Sequence, residues 1–400
     1  MTTRRNVLLL SGGALAAALT GCRERTTAAE PAGLPDVLLA DSEAGLVRLS
    51  GSAAQRLGPA TLSWDGTVLY AVTGARLDRL DPAGGAPIRS SAIGGGWVPR
   101  VVSTDGRACV LAPTPATEHP AARARSPLLV VTEAGERRYD LAGVVEPDAF
   151  TRDTTGLFVL EWLPAQAPDH YRVRLLDLAT GRVGPLLTRA KVAVPAGAEE
   201  EMRGEGRQAV LSADRQMLYT LYTHQPGHQH TRNLLAGTRN GAHAFVHVLH
   251  LTERWAYCLD LPDPFGAGPP SGHALAADGR HIAVLDTASG SLAYAGTDSL
   301  AIERVAKVPV GAGPASLILA GDGGTVFVAA GATVAVLDRG SDRVRGRWTG
   351  PAAVRGLALS RDGGRLYAGG TDEVLWLDAA AGAVRGRLAV AGLTRLRHAA

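Results

Sequence analysis

Short apolar runs bounded by Gly, Asp or Pro recur along most of this chain, and the clearest set lies between Pro309 and Trp348. Ser316-Leu317-Ile318-Leu319-Ala320 is continuously apolar, the pattern of a strand buried on both faces. Asp322-Gly323-Gly324 follows, supplying residues that tolerate positive φ and so predicting a tight hairpin. Val326 to Ala329 is a second strand and Val334 to Asp338 a third. Val344 to Trp348 alternates apolar with polar, as a half-exposed outer strand does. Four antiparallel strands with graded burial describe one blade of a β-propeller.

The unit repeats. Its Asp turn recurs at Asp65, Asp105, Asp153, Asp214, Asp278, Asp322 and Asp362, with spacings of 40, 48, 61, 64, 44 and 40 residues. Two copies, at Asp153 and Asp214, lack the following Gly but keep flanking strand-like runs. Val310-Gly311-Ala312-Gly313-Pro314, Asp322-Gly323 and Val334-Ala335-Val336-Leu337-Asp338 resemble the linker, hairpin and third strand of YVTN-repeat propellers. That family sits in the wider superfamily of quinoprotein amine dehydrogenase β-chain-like propellers. The resemblance covers roughly residues 36–400, is closest in the last two blades, and implies an all-β propeller. Before Asp65, the runs at Val37 to Ala40, Gly45 to Leu49 and Ala54 to Leu57 supply second, third and fourth strands without a first. Leu393 to His398 supplies a first strand without a sequel. Joining the two ends completes a blade, closes the ring and gives eight blades; leaving those pieces as decoration gives seven.

The N-terminus has a different pattern. Arg4-Arg5 precede an apolar run from Ser11 to Leu19, and Leu19-Thr20-Gly21-Cys22 resembles a bacterial lipobox. The arginine pair fits a twin-arginine signal, although Val7 stands where such signals often carry Phe. The resemblance implies cleavage before Cys22, acylation of that cysteine and anchoring on the extracytoplasmic face of the bacterial cytoplasmic membrane. Residues 1–21 are thus a signal peptide, 22–35 a disordered tether rich in Thr, Ala, Glu and Pro, and 36–400 a single propeller domain.

Composition narrows the partners. The formal charge is +3, and loss of Arg4 and Arg5 leaves +1, giving no basis for nucleic-acid binding. Cys109 and Cys258 fall in separate blades, too far apart for a disulfide, and read as small buried hydrophobes.

Loop lengths carry the functional signal. The long insertions (Pro113 to Pro127, Leu163 to Tyr171, Pro195 to Arg207, His224 to His243, Pro262 to Gly272) all fall on connections that leave one face of a propeller. The Asp-turn face is trimmed throughout. Binding residues concentrate on loops held by a rigid scaffold, so the decorated face over the third to fifth units is the candidate binding surface.

Histidines cluster there: His224, His228, His230 and His243 in one loop, His247 and His250 on the next strand, and His273 at the next blade. Their spacing permits zinc or copper binding, with His224, His228 and His230 the core of such a site, His243 an addition and His273 near the same face. No cysteine adjoins that loop in sequence, and solvated or hydrogen-bonded loop histidines are the competing account. Glu199, Glu200, Glu201 and Glu205 form an acidic run in a neighbouring loop, either cation-attracting or merely solvated.

No nucleophile elbow, zincin motif or P-loop is present. Related propellers include lactonases, quinoprotein dehydrogenases and amine dehydrogenase heavy chains, but their carboxylate, Trp-docking and vicinal-Cys features have no counterpart here. The reading is therefore a non-catalytic binding module without a predicted resident cofactor, for an unidentified protein or small-molecule ligand. The alternative is an envelope enzyme, lactonase-like or a metal-dependent oxidoreductase subunit.

Overall fold

Five of the seven Asp turns in the repeat are braced the same way; Asp278 and Asp322 follow Ala276 and Ala320 and lack the hydroxyl. In a computed structural model that describes residues 33–203, 207–239 and 241–400, the hydroxyls of Ser63, Ser103, Thr151, Ser212 and Ser360 each donate to the Asp two residues on, at 2.6–2.7 Å. The same carboxylate oxygen accepts a backbone N–H beyond the turn. Where glycine is missing, Thr154 (φ 55°) and Arg215 (φ 60°) adopt the left-handed conformation that Gly66 and Gly106 take in their copies. The side-chain brace holds a backbone angle that glycine would otherwise supply.

Each turn opens a four-stranded antiparallel sheet, and there are eight such sheets. Seven are consecutive in sequence. The eighth joins Leu393–Ala399 to Leu34–Ser42, Gly45–Gly51 and Ala53–Arg56. Leu38 pairs with Ala399 and Ala40 with Leu396. Arg397 and Asp41 bridge the joined strands at 2.6 Å. The ring is therefore an eight-bladed propeller closed by its termini, and the seven-blade alternative is excluded. Counting this composite sheet as blade one, blades two to eight follow in chain order. The expected signal peptide, most of the expected tether and Cys22 lie outside the described residues.

The core is a series of wedges between neighbouring sheets. Phe158, Tyr171, Leu218 and Phe245 fill the space between blades four and five; Leu285, Tyr294, Val326 and Leu337 do so between six and seven. Second and third strands are sandwiched on both faces, as Thr325–Ala330 and Thr333–Asp338 illustrate. One expectation fails here. The first strand of blade seven, Ala315–Leu319, is mostly half-buried instead of buried on both faces, because first strands form the innermost ring and meet the central channel. Blades four and six are different: the first strand Val144–Phe150 is buried along its whole length, and His273–Ala277 is buried except at Ala277.

Strand order sets where the loops go. Connections between second and third strands, and between blades, leave one end of the sheets; the Asp turns leave the other. The connection from blade four to blade five first runs beside the outer strand of blade five, where Leu187 pairs in parallel with Trp255. It then returns to the decorated end, where Met202 and Tyr171 exchange backbone hydrogen bonds at 2.8 and 2.9 Å.

Candidate metal centre

Three segments meet over blade five. Between Met217–Tyr222 and Phe245–His250 the chain makes a long excursion. It is folded back on itself by a bridge between His228 and Ala242 and carries a six-residue helix, Thr231–Ala236, ended by Gly237 at φ 64°. Glu200 arrives from the connection between blades four and five, pinned by the Tyr171–Met202 pair and by the Arg203 N–H donating to Gln225 Oε1 at 2.9 Å. Cys258 stands on the outer strand Ala256–Asp260 with its side chain turned inward, 1% exposed.

These segments bring Glu200, His228, His230 and Cys258 together, one ligating atom of each lying within 4.8 Å of the others. His228 Nε2 is 3.1 Å from His230 Nδ1. Glu200 Oε2 is 3.5 Å from His228 Nε2, 3.6 Å from His230 Nδ1 and accepts the Cys258 thiol at 2.9 Å. The Thr231 N–H donates to the other Glu200 oxygen at 2.7 Å. His228 stacks on Phe245, ring centroids 4.4 Å apart, and His230 meets the same ring edge-on at 5.1 Å.

The outward nitrogens are also engaged. His228 Nδ1 lies 3.0 Å from the Glu201 carbonyl oxygen, and His230 Nε2 lies 2.5 Å from Asp260 Oδ1. Arg232 pairs with the other Asp260 oxygen and donates to the Cys258 carbonyl at 2.6 Å. The electrostatics follow from this packing. Burial pushes the Glu200 carboxyl up, but hydrogen bonds from His228 and His230 outweigh it and hold the group well below the usual carboxylate range. Burial disfavours the charged form of His230, yet Asp260 and Glu200 raise its pKa overall. Burial, with Glu200 beside it, pushes the Cys258 thiol up. Nearby His247 is lowered to about 4, chiefly by burial.

Of the histidines singled out from sequence, His228 and His230 enter this cluster, while His224, His243 and His273 form a neighbouring group. The His224 ring centroid lies 5.9 Å from that of His243 and 6.3 Å from that of His273. His273 accepts the Gly266 N–H on Nε2 at 3.0 Å and lies 3.1 Å from the Pro269 carbonyl through Nδ1, so both its nitrogens are used. His243 Nε2 lies 2.8 Å from the Gly266 carbonyl oxygen. His224, at φ 58°, contacts the Thr223 hydroxyl. Cys258 corrects the expectation that no thiol reaches the histidines: cysteine and histidines are far apart in sequence, but the long loop folds down onto its own blade. Asp260 was also missed. The available signal was its i, i+2 spacing from Cys258, which puts both on one face of a strand.

Two of the surface hollows bear on the site. One of about 470 Å³ opens on the decorated end, lined by Arg100, Glu146, Asp148, Trp162 and Arg207 among others. A larger one of about 690 Å³ lies among the Asp turns of blades six and seven. Its Arg339 is occupied by Asp278 and by His281 Nδ1 at 2.6 Å, and it holds no convergent ligating set.

No protein-family profile matches the chain, and no curated protein is significantly similar to it. Solved structures do match. Apo AztD from Citrobacter koseri is similar at 9% identity and TM-score 0.51, covering 91% of this chain and 97% of that one. A second crystal structure of Citrobacter koseri AztD gives 10% and 0.52, covering 91% and 96%. The dihydro-heme d1 dehydrogenase NirN in complex with DHE gives 14% and 0.51, covering 90% of this chain and 74% of that one. At such identities the likeness establishes the propeller fold alone.

Proposed function

We propose that this protein is an extracytoplasmic, lipid-anchored propeller of the YVTN kind that acts as a non-catalytic metal-binding module through its decorated face. The observation that carries the reading is the convergence of Glu200, His228, His230 and Cys258 from three separate segments. His228, His230 and Cys258 are each buried, at 6%, 0% and 1% exposure. Burying ionisable groups is costly unless they are paired or hold a metal. A catalytic metal keeps a coordination position open to substrate. Here four protein donors fill the centre beneath Phe245 and two folded loops, which favours holding an ion over transforming a substrate.

The anchoring part of the proposal rests on Arg4, Arg5 and the Leu19 to Cys22 lipobox. It places the ion-binding face outside the cytoplasmic membrane, with export in the folded state and no nucleic-acid partner. Metal analysis of the detergent-purified full chain tests the binding: about one equivalent per chain is expected in wild type, and loss of it in His228→Ala/His230→Ala. Absence of metal, both as isolated and after incubation with zinc or copper, sinks the reading. Separately, Cys22→Ser should move the protein from membranes to the soluble fraction; unchanged membrane retention defeats the anchor.

A further inference from the structure

The hydrogen bonds around the two histidines determine where their protons sit. A carbonyl oxygen only accepts, so the Nδ1 of His228 that faces the Glu201 carbonyl carries the hydrogen, and Nε2 presents a lone pair. Asp260 takes the Nε2 hydrogen of His230 in the same way, so Nδ1 presents its lone pair. These two lone pairs face each other at 3.1 Å, with Glu200 Oε2 within 3.6 Å of both. With both imidazoles neutral, three acceptors point at one spot and need a positive centre, which in the ion-free chain is supplied by protons that the histidines donate to Glu200. A single shared proton satisfies one of those contacts; a metal ion satisfies them all together with the sulfur.

We infer that the ion is zinc(II), held in a closed four-coordinate site by Glu200 Oε2, His228 Nε2, His230 Nδ1 and the Cys258 thiolate. This inference rests on the metal-binding reading above and specifies its ligand. Charge argues for a divalent ion: one carboxylate and one thiolate neutralise two positive charges in a buried place, whereas a monovalent ion leaves one negative charge unbalanced. Donor chemistry argues against magnesium and calcium, which want six or more oxygens. Two imidazoles, a thiolate and a carboxylate suit zinc. Blue-copper sites have a trigonal His₂Cys set with a distant, weak axial ligand. Here the fourth donor is a charged oxygen at nearly equal distance from both histidines. Zinc–nitrogen and zinc–oxygen bonds of about 2.0–2.1 Å at tetrahedral angles separate donors by roughly 3.3–3.4 Å, close to the contacts of 3.1, 3.5 and 3.6 Å found here. The Cys258–Glu200 contact of 2.9 Å is a thiol hydrogen bond. When the zinc–sulfur bond forms, the S–H bond breaks, the proton leaves to solvent, and that contact opens to roughly 3.5 Å.

The outer contacts fit the same assignment. Zinc-binding histidines usually donate their remaining N–H to a carboxylate or backbone carbonyl, and both do so here. Thr231 N–H occupies Glu200 Oε1 and leaves Oε2 as a single-atom ligand.

Cobalt(II) substitution of the detergent-purified full chain tests the assignment. Tetrahedral cobalt with one thiolate gives intense visible d–d bands and a near-ultraviolet sulfur-to-metal charge-transfer band. Cys258→Ser should retain visible bands but lose the charge-transfer band. Asp260→Asn changes a half-exposed group outside the first coordination sphere, so folding is not at risk, and zinc affinity should fall about 10–100-fold. Weak, octahedral-type cobalt spectra, a charge-transfer band that survives Cys258→Ser, or unchanged affinity in Asp260→Asn would overturn the site as assigned while leaving metal binding standing. Copper in place of zinc in the isolated protein would overturn the choice of ion. Failure to bind any of these ions removes both the assignment and the function it rests on.

Discussion

Blades seven and eight differ from blades four and five in what they bury. In blade seven the second and third strands are joined by Gly331 and Ala332 alone. Arg339 and Ser360 are the buried polar residues there and in blade eight. Their other charges face water, as in the 2.9 Å Arg385–Asp378 pair, whose side chains are 58% and 29% exposed. Blades four and five bury Glu146, Asp148, His228, His230, His247 and His250 with several hydroxyls. The strand framework is the same in both halves; apart from His250, which lies at the Asp-turn end opposite Met217, the roof of loops is the difference. Once a loop excludes water, every polar group beneath it needs a partner, and the partners themselves become a site.

Removing such a partner should have the largest effect. Arg207 pairs with Asp148, whose side chain is 7% exposed, and its Nε contacts the Tyr222 hydroxyl at 3.4 Å. Arg207→Ala strands a buried carboxylate and should cost about 3–5 kcal/mol in denaturant unfolding. A loss below about 1 kcal/mol would show that Asp148 is hydrated and that the roof is not dry. The plain half of the ring depends on tight glycine packing instead. A Cβ on Gly386 would fall 2.1 Å from the Trp376 ring, so Gly386→Ala should cost about 1–3 kcal/mol, read as a lowered melting temperature.

Acid should weaken the decorated end through His273, at the start of blade six. Burial lowers its pKa below the ordinary 6.5, against the opposing pull of Asp286. The unfolded chain therefore takes up a proton near pH 6.5 that the folded state resists, and stability falls as pH drops below that value. His273→Gln, which keeps a donor and an acceptor for Pro269 and Gly266, should flatten the melting-temperature profile between pH 6.5 and 5; an unchanged slope assigns the acid sensitivity elsewhere. The smallest effect belongs to Arg385→Ala, which should leave the melting temperature nearly unchanged because its pair is solvated. A cost matching that of Arg207→Ala would erase the contrast between the halves.

The propeller was legible because strand alternation and Asp-turn chemistry are local, and each copy repeats the same pattern. The composite blade was legible too, since Leu393 to His398 lacked a sequel just where Val37 to Leu57 lacked a beginning. One inner strand was misjudged: the apolar run Ser316 to Ala320 does not reveal that this strand meets the channel.

The pattern along the chain thus determined the blades, the closure and the end of the ring that carries the long loops, all of which follow from period-two alternation and short-range turns. It also marked His228 and His230, but it could not separate them from His224, His243 and His273. Tertiary structure alone made that choice. It carried Glu200 across from the preceding connection, turned Cys258 inward from an outer strand and set Asp260 behind His230. Ligation depends on distances of a few ångströms between residues tens of positions apart, and loop packing, which no local periodicity encodes, sets those distances.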